Sequence, residues 1–104
     1  MSLTGNEDQS VTLSAGATLT AAYRLLAGPF AIKGHYFSKA SLEAAIDQSG
    51  SVGIHIYYAN HALYGSRLVV VGVDSDGNDL VNGPIATSNI TCPPYCSTNN
   101  DLNS

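Results

Sequence analysis

Apolar residues along the chain change their spacing near Gly50. Upstream, Leu19, Ala22, Tyr23 and Leu26 fall at i, i+3, i+4 and i+7, the spacing of one buried helix face. This predicts a helix that starts near Leu13, capped by Ser14, and stops at Gly28-Pro29, where the proline disfavours helical backbone before it. A short connection follows over 30–37. A second helix is expected from the cap Ser38, with Leu42, Ala45 and Ile46 as its apolar stripe and Gly50 as its stop. Downstream the period becomes two. Val52, Ile54, Ile56 and Tyr58 alternate with Gly53, His55 and Tyr57, as in a half-buried strand. Arg67–Val73 holds the nearly continuous run Leu68-Val69-Val70-Val71, which suits a central strand covered on both faces. The segment DSDGN at 74–78 is a turn, and Asp79–Val81 is expected to open a third strand.

Helices first and strands afterwards predict an α+β fold, with two N-terminal helices packed on a small antiparallel β-meander and an irregular C-terminal tail. The 104 residues suit one domain: an arm over 1–10, a helical part over 11–49, a β part over 50–82 and a cysteine-containing tail over 83–104. Leu19, Tyr23, Leu26, Leu42 and Ile46 are expected to pack onto Ile54, Ile56, Leu68 and Val70. Two short helices cover one face of such a sheet. The other face is expected to present Val69, Val71 and Val73 as an open apolar patch, an interface for a second copy of the chain.

Composition sharpens that expectation. Only 12% of residues are charged, about half the ~25% of an ordinary soluble domain, and interface cores are depleted in charge. The net charge is −4, and the four basic residues, Arg24, Lys33, Lys39 and Arg67, are scattered. That distribution offers no footprint for nucleic acid and no polybasic patch for a membrane surface. No apolar run approaches the ~20 residues of a membrane span. The start MSLTGNEDQS has neither a basic nor an apolar leader region. The expected location is cytoplasmic, or outside the cell by export without a cleaved signal peptide.

Candidate chemistry is sparse. The segment CPPYC places Cys92 and Cys96 four positions apart. They read as plain thiols or a local disulfide, as half of a zinc site completed by His35, His55 or His61, or as a redox pair. Asp74, Asp76 and Gly77 resemble part of a calcium loop, but Gly72 and Gly83 fall where its first and last ligands belong, so a plain turn is expected. Glu43 and Asp47 lie one turn apart on the second helix and read as a solvated face. His55 lies on the strand face opposite Ile54 and Ile56. No phosphate-binding glycine motif and no nucleophile elbow is present in the sequence.

The stretches FSKASLEAAIDQSGSVGIHIYYA, LVVVGVDSDGNDL and CPPYC, in this order, resemble a family of short uncharacterised bacterial proteins. The resemblance covers most of the chain. It implies one complete domain and carries over no catalytic residue, binding residue or activity. On residues and resemblance together, the expectation is a non-enzymatic structural or self-associating protein, a homo-oligomer or a filament or shell subunit. The alternative is a small ligand- or metal-binding module built on Cys92 and Cys96, with zinc as its cofactor.

Overall fold

A computed structural model describes residues 2–104; Met1, the first residue of the arm, lies outside the described residues. The fold is α+β, with two helices and two small antiparallel sheets. Helix α1 spans Leu13–Ala27. Its cap is Thr12 rather than Ser14: the Thr12 hydroxyl accepts the Ala15 N–H at 3.0 Å. Ser14 sits inside the first turn, and its carbonyl accepts the Thr18 hydroxyl. Gly28 ends α1 at φ 90°, a backbone conformation that a side chain would strain. Strand β1 (Gly34–His35) precedes helix α2 (Lys39–Asp47), whose cap is Ser38 as expected.

Strands β2 (Gly53–His61) and β3 (Gly65–Val73) form a nine-residue antiparallel hairpin closed at Gly65, which adopts φ 83°. The third member of the sheet is β4, Ile85–Thr87, not Asp79–Val81. Asp79 makes one isolated bridge to Val73, and the chain then turns at Leu80–Gly83 before pairing. The order β2-β3-β4 places β3 in the centre. Strand β5 (Thr91–Cys92) leaves this sheet and pairs with β1.

The core lies where α2 crosses β3. On the face that α2 crosses, Ala45 and Val70 are each 1% exposed; on the opposite face of β3, Val71 and Val73 are each 3% exposed. Close approach is possible because β3 has Gly72 there: a Cβ on it would stand 2.7 Å from the Ala45 carbonyl oxygen. Leu42 is half-buried beside this contact, while Ile46 and Ile56 remain about half exposed.

Helix α1 does not join that core. None of its residues is buried, and Leu19, Tyr23, Leu25 and Leu26 all face solvent. The expected packing of Leu19, Tyr23 and Leu26 on the sheet is therefore corrected. What α1 meets is the C-terminal tail: Arg24 donates to the Leu102 carbonyl at 2.7 Å, and Gly16 lies against the Leu102 side chain. Lys33 donates to the Asn103 carbonyl, tying the tail from the other side. Helical spacing defines an apolar stripe; it does not decide which surface the stripe meets.

Candidate functional site

Residues opposite one another in an antiparallel ladder share a face of the sheet. His55 stands opposite Val71 and Tyr57 opposite Val69, while Val73 stands opposite Gly53 and bridges to Asp79 on its other side. His55, Tyr57, Val69, Val71, Val73 and Asp79 therefore share the face turned away from α2. On this face the Asp79 carboxylate takes two partners: His55 Nδ1 lies 2.7 Å from Oδ1, and the Tyr57 hydroxyl donates to Oδ2. Because Asp79 and β2 lie on opposite sides of β3, these bonds span the central strand above the valines.

That arrangement changes the reading of the open valine patch. Val71 and Val73 are buried and Val69 is half-buried, with the polar bridge lying across the strand that holds them. Gly53, opposite Val73, leaves room beside the bridge. Next to it lies a cavity of about 420 Å³, whose lining includes Val52, Ile54, His55 and Val73 together with Leu3 and Glu7 of the arm. A backbone bond from Leu3 N–H to the Ser75 carbonyl at 2.8 Å holds the arm there.

The two hydrogen bonds set the electrostatics. The Tyr57 hydroxyl and then the His55 ring hold the Asp79 carboxyl below the usual aspartate range. The same bond to Asp79, and then burial, pushes the Tyr57 phenol up. An imidazole fixed through Nδ1 by a carboxylate has its orientation set, the arrangement a base requires. Here the same carboxylate also holds the Tyr57 phenol, so the three side chains form one hydrogen-bonded group across β3.

The other chemistry-bearing residues stand apart. Cys92 and Cys96 are joined by a disulfide with Cα atoms 4.7 Å apart. In that state neither sulfur is a thiolate, the form a zinc ligand needs. His35 Nε2 lies 3.1 Å from the Ser66 carbonyl, and His61 Nδ1 accepts N–H bonds from Leu63 and Tyr64 at the hairpin tip. Among the described residues, no three His, Cys, Asp or Glu side chains gather as a metal would need. The Asp74 carboxylate accepts the backbone N–H groups of Asp76 and Asn78, each at 2.9 Å, as the expected turn requires.

All four basic side chains have local partners. Arg24 and Lys33 hold the tail, Lys39 faces Glu43 at 3.8 Å, and Arg67 donates to the Tyr64 and Ser66 carbonyls. No helix among the described residues is long and apolar enough to cross a membrane. Large apolar side chains stand open instead: Phe30 and Tyr58 are each 95% exposed, Leu26 90%, Leu25 86% and Leu63 81%.

Reading residues one at a time misses the part played by Asp79. Its signal is the alternation that sets His55 and Tyr57 on one face of β2, with an acidic residue just beyond the turn leaving β3. No family model, curated protein or solved structure matches this chain.

Proposed function

We propose that this protein is a structural subunit that works by associating with copies of itself, without catalysis. The observation that carries the reading is the amount of surface a single chain leaves uncovered. Its accessible surface is 7450 Å², against about 5,500 Å² for a compact monomer of 10.8 kDa. Its radius of gyration is 15.2 Å, against roughly 13 Å for a compact domain of this length. The surplus of about 1,900 Å² is larger than the ~800 Å² each partner gives to a standard interface. Much of it is apolar: α1 is a 15-residue helix with one charged side chain and no buried residue. A helix of that composition is marginal alone in water and gains most of its stability from the surface it packs against.

The test is the solution mass of the untagged chain by light scattering over a wide range of concentration. The expected result is a multiple of 10.8 kDa that falls only on dilution. The variant Leu25→Glu/Leu26→Glu, placed on exposed positions, should lower the mass while leaving the strand signal in circular dichroism intact. A 10.8 kDa monomer at every concentration would end the reading.

A further inference from the structure

We infer that two copies join through the outer edge of β2, antiparallel across a two-fold axis, so that the two three-stranded sheets become one of six strands. This rests on the self-association reading and names one interface of the assembly, separate from the α1 surface tested above. Strand β2 is an edge of the sheet and runs for nine residues. Its partner β3 reveals which of its groups are open. Leu80 N–H bonds to the Gly72 carbonyl on the side of β3 away from β2, so Gly72 does not use that carbonyl within the β2–β3 ladder. Ile54, paired with Gly72, therefore turns its own N–H and C=O outward. By the alternation of an antiparallel ladder, so do Ile56, Tyr58 and Asn60. No other backbone segment of the described residues hydrogen-bonds to this edge; the arm passes its first residues, where Gly5 and Glu7 line one cavity with Gly53 and Ile54, and its own backbone bond goes to Ser75.

Exposed edges of this length are usually blunted by lysine, proline, a bulge or an inward charge. GIHIYYANH contains no Lys, Pro, Asp or Glu, and its register with β3 runs unbroken from Gly53 to His61. Its side chains also complement themselves. Full antiparallel overlap of Ile54–Asn60 with a second copy sets Ile56 of each chain beside Tyr58 of the other, on the α2 side of the sheet. These are β-branched and aromatic cross-strand pairs of the kind that stabilise ladders. In the single chain Ile56 is 54% exposed and Tyr58 95%. Each residue meets the other's counterpart, the self-complementarity a two-fold interface requires.

The experiment compares light-scattering masses of the full chain, of Tyr58→Lys and of Ile56→Cys/Tyr58→Cys. Among the described residues Tyr58 has no side-chain hydrogen-bond partner, and it is almost fully exposed, so the lysine variant should keep the circular dichroism spectrum of the parent. The expected result is that Tyr58→Lys at least halves the particle mass. The double-cysteine chain should run as a covalent pair on a non-reducing gel after mild oxidation. An associating parent whose mass is unchanged by Tyr58→Lys would overturn edge pairing and leave self-association standing, as would the absence of the covalent pair. A parent that is monomeric at every concentration would overturn both.

Discussion

Substituting Gly72 with alanine puts the contact between α2 and β3 under direct test. The added Cβ would stand 2.7 Å from the Ala45 carbonyl oxygen and would run into the Gln48 side-chain amide. Ala45 is the one buried residue of α2, so the obstacle is helix backbone held in the core rather than a free side chain. The helix has to retreat by several tenths of an ångström, and overpacking of this kind costs about 1–3 kcal/mol. Replacing glycine also restricts the unfolded chain, which offsets roughly 0.4–1 kcal/mol. The expected net loss is about 1–2 kcal/mol, or roughly 5–15 °C in melting temperature for a domain of this size. Gly83 supplies the control. The atoms nearest a Cβ there belong to the Gln48 side chain, which can move aside at the loss of its hydrogen bond to the Ala45 carbonyl, so Gly83→Ala should cost less. Adding Gln48→Ala should remove whatever cost Gly83→Ala has and leave that of Gly72→Ala, because the Ala45 carbonyl stays in place. Melts followed by circular dichroism at one fixed protein concentration would read the series. Gly72→Ala melting with the parent, or recovering with Gln48→Ala, would refute the account of the core.

The remaining predictions concern the polar bridge, the turn and the tail. With the Asp79 pKa lowered, its contribution to stability is present above the unfolded carboxyl value and lost as pH falls through the folded one, below about 4. With the Tyr57 pKa raised, its contribution is present below the unfolded phenol value of ~10 and lost as pH rises through the folded one. Melting temperature against pH should fall at both ends, and Tyr57→Phe should remove the alkaline fall; an unchanged alkaline limb would contradict this. Millimolar calcium should leave the melting temperature unmoved, since the Asp74 carboxylate is already engaged within its turn, whereas an ion at a hundred times its dissociation constant would add ~2.7 kcal/mol. Cys92→Ser/Cys96→Ser opens a five-residue loop and should cost about 2 kcal/mol by loop entropy, read as a lower urea midpoint.

How far these features were legible in the sequence depends on the range of the signal behind each. Alternation of apolar and polar residues located β2 and a continuous β-branched run located β3 because both signals are local, and Ser38 announced α2 for the same reason. Helix α1 was legible as a helix and illegible in its packing, since its contacts are with Leu102, far along the chain. Strand β4 was hidden by Gly83-Pro84, which reads as a breaker although it leads into the last strand of the sheet. The valine run was correctly placed at the centre. The bridge of His55, Tyr57 and Asp79 lies across one of its faces, a polar feature that a count of apolar layers does not include. Nothing in the spacing of the residues links position 55 to position 79.

That last pair has a consequence for how the sequence can change. His55 and Asp79 lie 24 positions apart, yet one hydrogen bond across β3 joins them, with Tyr57 on the same carboxylate. Substitution at either end alone strands a partner above Val71 and Val73. Drift at these sites should therefore be coupled. An acidic residue at 79 should be kept while position 55 holds a side chain that donates a hydrogen bond across the strand, such as histidine, arginine or lysine. Where the acid is lost, an apolar residue should replace both ends together. Among diverged versions of this chain, positions 55, 57 and 79 would vary as a single character, inherited in whole sets rather than residue by residue.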